Sequence, residues 1–169
     1  RGFPGRRLTH LFGSKEETDV RLTMRMAQVI TNEVVSRCTH IIDFHGQRMG
    51  MALNKMLFNR VSEEAMTLAK VFGLGVIHDP EGESIGGAIG PMTDYAERLG
   101  IPGVAPEIGG AGHSEAFEKE CEKIGARGVA NTLKYLKMSG GELDLPKQQF
   151  WFRKAPHVRA TRSGYLVSN

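Results

Sequence analysis

Short apolar or β-branched runs alternate along this chain with longer stretches whose apolar residues recur at helical spacing, and this alternation constrains the fold most. Strands separated by helices in this way form an α/β sheet covered on its faces. A long amphipathic helix is expected from Lys15 to Arg37. Its apolar residues are Val20, Met24, Ala27, Val29, Ile30, Val34 and Val35, with Ser14 as cap and Glu16 and Glu17 in the first turn. Thr39 to Phe44 reads as a buried strand and Met51 to Phe58 as a weaker one. Ser62 to Phe72 is expected to be helical, capped by Ser62 and ended by Gly73, before a short strand at Val76-Ile77. The glycine-rich, acidic segment from Asp79 to Gly90 reads as a long loop that lines or covers a site. Pro91 opens a helix over Met92 to Leu99, Gly100 closes it, and a strand over Val104 to Ile108 follows. Ser114 to Lys137 is the second long helical stretch, with Gly125 and Gly128 as points where it could divide. Beyond Gly140-Gly141, Phe150-Trp151-Phe152, His157 to Ala160 and Gly164 to Val167 read as β-hairpin material. The expected organisation is therefore an α/β domain over 1–141 and, over 142–169, a linker and the beginning of a β domain.

A chain of 169 residues, 40% hydrophobic and 24% charged, is long enough for one sizeable core. Its net charge of +3 is scattered except for Arg1, Arg6 and Arg7, too little for a nucleic-acid footprint. Cys38 and Cys121 sit in helical contexts far apart, which argues against a disulfide framework and for a reducing compartment. With no apolar run of membrane-spanning length and no signal-peptide pattern, a soluble cytoplasmic protein is expected. The chain opens without Met and stops at Leu166-Val167-Ser168-Asn169 in mid-pattern, so a piece of a longer polypeptide is expected.

Two residues stand where a metal ligand and a general base would be placed. His45 follows the strand-like run ending in Asp43-Phe44, and Glu107 follows Val104-Ala105-Pro106 and precedes Ile108-Gly109-Gly110. Asp43, two residues before His45 on the same strand face, could orient the imidazole as an outer carboxylate. Poor solvation raises a carboxyl pKa and suits such a group to proton transfer, the role open to Glu107. The same residues also fit a histidine hydrogen-bonded to a loop and a glutamate ion-paired at the sheet edge. His10 and His40 read as surface or junction residues, while His78 and His113 lie in loops that could approach a site. The glycine pairs form neither G-x-G-x-x-G nor a P-loop, no Gly-x-Ser-x-Gly occurs, and both cysteines read as core thiols.

Taken in order, Arg1-Gly2-Phe3-Pro4-Gly5, Ile41-Ile42-Asp43-Phe44-His45-Gly46, Gly100 through Gly110 with its Pro106-Glu107-Ile108-Gly109-Gly110 core, and Arg127-Gly128-Val129-Ala130-Asn131 resemble the succinylglutamate desuccinylase and aspartoacylase family. Their order and spacing across nearly the whole chain make the resemblance strong. It implies a carboxypeptidase-like zinc hydrolase, with a mixed sheet flanked by helices and a C-terminal β subdomain of which only the start is present. The implied activity is zinc-dependent cleavage of the amide of an N-acylated amino acid or similar small substrate. By the same resemblance, Glu107 is the general acid/base, His45 a zinc ligand, Asp43 its outer partner, and Arg1 a binder of substrate carboxylate. The family's other two zinc ligands come from a histidine-glycine-x-glutamate segment upstream of the arginine motif, and nothing here matches it. The chain by itself is accordingly expected to be inactive. A peptide-cleaving carboxypeptidase of the same clan and a non-catalytic binding module with a relic site are the alternatives.

Overall fold

The computed structural model describes residues 22–47, 55–57, 62–79, 92–110, 114–153, 161, 162 and 164. Among them are six strands, β1 (Ile41–Ile42), β2 (His45–Gln47), β3 (Lys55–Leu57), β4 (Val76–His78), β5 (Gly103–Gly110) and β6 (Phe150–Phe152). Four helices accompany them: α1 (Leu22–Glu33), α2 (Glu63–Phe72), α3 (Met92–Arg98) and α4 (Glu115–Tyr135). The sheet order is β1-β5-β3-β4-β6, with β2 also paired to β5. β1 and β2 run parallel to β5, β3 antiparallel to it, and β4 and β6 parallel to β3 and to each other. The sheet is therefore mixed, as the family resemblance implied.

Alternation along the strands sorts side chains onto two covered faces. On one, Val104 packs with Ala65, Leu68, Ala69, Phe72, Leu74 and Ile77, supported by Ile42, Ile108 and by Ile124 of α4. On the other, Ile41 packs with Val35 and Ala96 against Ile30, Met92 and Tyr95. Helices α2 and α4 thus cover one face, and α1 with α3 the other. Each fully buried large side chain such as Phe72, Leu68 or Ile77 contributes about 1.5–3 kcal/mol relative to an exposed one.

Local signals fix α2 as expected. Ser62, in extended conformation, accepts a hydrogen bond from the Ala65 N–H, Glu63 and Glu64 occupy the first turn, and Gly73 closes the helix at φ +85°. Helix α4 runs unbroken through Gly125 and Gly128, the two points where it could have divided. At Gly128 a Cβ would fall 2.3 Å from Cζ of Phe72, so this glycine serves close helix packing and not a break. The residues beside it serve the same junction. Arg127 Nη2 donates to the carbonyl of Gly73, and fully buried Asn131 donates to the Asp144 carbonyl and accepts from the Asp144 N–H.

That clamp returns the chain across the end of α4, and Gln149 then donates to the carbonyls of Lys70 and Leu74. Phe150–Phe152 consequently enters the main sheet as a parallel edge strand beside β4, which corrects the hairpin expected there. The described part of the first helix ends at Glu33 and continues as a 3-10 turn over Val35–Arg37. Of its expected apolar face, Met24, Ala27 and Val35 are buried, whereas Val29 and Val34 are exposed. The expected strand over Thr39 to Phe44 is reduced to Ile41–Ile42, and of the one expected over Met51 to Phe58 the described residues Lys55–Leu57 are strand. Residues 80–91, His157 to Ala160, Tyr165 to Val167 and the cap proposed at Ser14 lie outside the described residues. No helix among the described residues is long and apolar enough to cross a membrane.

Glu97 of α3 is 7% exposed, and burial first of all raises its pKa, with Asp94 and Glu64 adding to the rise. Hydrogen bonds from the Gly103 backbone and Ser62 oppose it. Between the unfolded and the higher folded pKa the native state binds more protons, so this group's contribution to stability falls as pH rises through that window. Glu97→Gln removes the penalty. Its urea midpoint relative to wild type is expected to improve as pH rises above the ordinary carboxylate pKa and then to level off, and an advantage that grows on acidification would contradict the assignment.

Candidate active site

The bend between β1 and β2 positions the candidate residues. Backbone bonds from Ile41 N to Pro102 O and from Asp43 N to Val104 O hold β1 along β5 as far as Asp43. Phe44 then turns to the α2/α4 face, where its ring meets Phe72 edge-on at 5.9 Å and lies against Gly125. With Phe44 anchored on that side, Asp43 and His45 emerge on the other. His45 opens β2 in register with Glu107 of β5. Register partners on adjacent strands, about 4.8 Å apart, present their side chains to the same face.

The three side chains converge. His45 Nε2 lies 3.1 Å from Asp43 Oδ2, and His45 Nδ1 lies 4.0 Å from Glu107 Oε1. The side chains are 28%, 18% and 13% exposed for His45, Asp43 and Glu107. The hydrogen bond to Asp43 raises the His45 pKa above its ordinary value; burial opposes this, and the charges of Asp43 and Glu107 reinforce it.

An imidazole whose one nitrogen donates to a carboxylate is fixed in the tautomer that leaves the other nitrogen as a lone-pair donor to a metal. Here that arrangement puts Nε2–H on Asp43 and exposes the Nδ1 lone pair on the side of Glu107. The donor set therefore fits one ligand of a zinc site with a carboxylate beside it. No group of three or more His, Cys, Asp or Glu side chains among the described residues is arranged to hold a metal ion.

The sequence expectation that His45 and Glu107 share one place holds, with two adjustments. Glu107 lies within β5, which continues to Gly110, and His45 opens a strand of its own. Arg1 lies outside the described residues, as do His10 and His113. His40 contacts the Thr39 hydroxyl, and His78 stacks on Phe152 at 4.5 Å on the far strands of the sheet. Both cysteines are free thiols of intermediate exposure. Sequence reasoning missed Phe44 as the anchor of the bend; its signal was a lone aromatic between two polar residues at the end of a strand.

The chain matches a family model described as "Succinylglutamate desuccinylase/Aspartoacylase catalytic domain" over residues 1–136. Among solved structures it is similar to the product-bound ectoine utilization protein EutE (DoeB) from Ruegeria pomeroyi. The TM-score is 0.68 and the identity 20%, over 87% of this chain and 44% of that one. It is also similar to a succinylglutamate desuccinylase/aspartoacylase from Rhodobacter sphaeroides, with TM-score 0.65 and 19% identity over 85% of this chain and 42% of that one. The chain thus spans under half the length of these structures. A search of the curated proteins gives no match.

Proposed function

The chain belongs to the succinylglutamate desuccinylase/aspartoacylase family, and we propose that the protein hydrolyses the amide of an N-acylated amino acid or similar small substrate at a zinc site. The observation that carries this reading is the Asp43-His45-Glu107 constellation, an oriented imidazole whose second nitrogen faces a carboxylate at 4.0 Å. In this reading His45 Nδ1 is a metal ligand and Asp43 fixes its tautomer. Zinc, when bound, supplies Lewis acidity toward the scissile carbonyl and a water molecule. Glu107 accepts the proton of the attacking water and delivers it to the departing amine nitrogen, so one carboxylate serves first as base and then as acid. Arg1 is proposed to hold the substrate carboxylate bidentately. Because the sequence contains no histidine-glycine-x-glutamate segment, two further zinc ligands are proposed to come from beyond it.

The test is hydrolysis of a panel of N-succinyl and N-acetyl amino acids by the whole protein. Release of free amino acid is expected, lost on exhaustive chelation and restored by zinc. Turnover that survives complete metal removal would contradict the zinc assignment. Stoichiometric zinc with no hydrolysis of any acylated amino acid would favour a peptide substrate or a binding role.

A further inference from the structure

A second constellation lies on the opposite face of the sheet. Register places Ile77 beside Trp151, and Ile77 belongs to the core under α2. Asp79 and Arg153, just past the ends of these strands, lie 3.8 Å apart and meet Met66 and Lys70 of α2 at one cavity. Glu107, by contrast, is level with Val76 across β3 and lies on the face of α3. The far face holds a cavity of about 440 Å³ lined by Met66 and Lys70 of α2, Asp79 just after β4, Trp151 of β6 and Arg153 just after it. Its volume falls within the ~300–1,000 Å³ of small-molecule pockets.

The lining has a definite chemistry. Lys70 Nζ stands 5.6 Å from the centroid of the Trp151 ring, an electrostatically favourable position for a cation. Asp79 is 4% exposed, and its Oδ2 lies 3.8 Å from Nε of Arg153, so a buried carboxylate sets the direction of the guanidinium. Among the described lining residues, Lys70 adds a positive charge beside the Asp79–Arg153 pair, and Met66 with the indole gives an apolar wall. The cavity sits at the carboxyl ends of the adjacent parallel strands β4 and β6, an edge at which α/β sheets bind ligands.

We propose that this cavity is a second binding site, separate from the Asp43-His45-Glu107 site, which takes a small organic carboxylate with an apolar body. The carboxylate lies between Lys70 and Arg153, and the apolar body rests on Met66 and Trp151. Asp79 is a positioning residue for Arg153.

Trp151 is the only tryptophan in these 169 residues, and the emission lost in a Trp151→Phe variant isolates its signal, which reports on the cavity without reference to turnover. Titration of the full chain with 3-phenylpropionate is expected to give a saturable change in that emission. Lys70→Gln, at an exposed helix position, is expected to fold normally and to weaken binding by roughly tenfold, the effect of losing one charge-assisted contact. The uncharged analogue 3-phenylpropanol is expected to bind at least as weakly to the wild type. A response that does not saturate, or equal affinity for the acid in wild type and Lys70→Gln, overturns the proposal. So does equal affinity of the wild type for the acid and the alcohol. Failure here leaves the hydrolase reading untouched, because the readout involves neither zinc nor substrate cleavage.

Discussion

Glu107→Gln in the whole protein is expected to lower kcat by roughly 10²–10⁴, the range for loss of a positioned general acid/base, with KM changed far less. The substitution keeps the shape and volume of a side chain that is 13% exposed and held within β5 beside His45. Size and shape are kept, while the carboxylate's charge beside His45 and its capacity to take and return a proton are lost. An interaction used only in the transition state is lost from kcat and kcat/KM together. Steady-state kinetics on an N-acyl amino acid substrate measure the effect. Near-normal turnover in this variant would remove Glu107 from the mechanism.

Gly128→Ala is expected to destabilise the fold by about 1–3 kcal/mol, as overpacking of a filled core does. Helix propensity alone gives the opposite sign, since alanine in a helix interior is favoured over glycine by about 1 kcal/mol. Packing wins because the new Cβ would stand 2.3 Å from Cζ and 2.5 Å from both Cε atoms of Phe72. Phe72 is 1% exposed, so its ring yields only by displacing its neighbours. The same ring meets Phe44, which anchors the bend carrying Asp43 and His45, so the lesion also reaches the candidate site. A denaturant midpoint below wild type is the expected result, recovered in part when Phe72→Leu is added. A stabilised Gly128→Ala would show that the helix contact is looser than described.

What could be read from the sequence was what local chemistry decides. The limits of α2 followed from Ser62, the glutamates after it and Gly73, all of which act within one turn of the helix they bound. The candidate pair was legible for a related reason, since His45 and Glu107 each stand beside a strand-like run followed by glycine. Their register was not, because it depends on β5 receiving β1 and β2 along one edge and β3 along the other. Continuity of α4 was hidden because Gly128 answers to Phe72, far away in sequence, and not to its helical neighbours. The placement of Phe150–Phe152 was hidden likewise, since it follows from Asn131 grasping Asp144 and from Gln149 reaching Lys70 and Leu74. Lys70, Asp79, Trp151 and Arg153 belong to three elements and carry no shared motif; only the folded sheet brings them to one cavity.

The central claim is that His45 holds metal while Glu107 moves a proton. Zinc content of the purified whole protein, compared with its His45→Ala and Glu107→Gln variants after identical dialysis, tests it most directly. The account predicts about one zinc per site in the wild type, near-wild-type zinc in Glu107→Gln, and loss of zinc in His45→Ala because a ligand has been deleted. Wild-type zinc in His45→Ala, or equal loss in both variants, would contradict it.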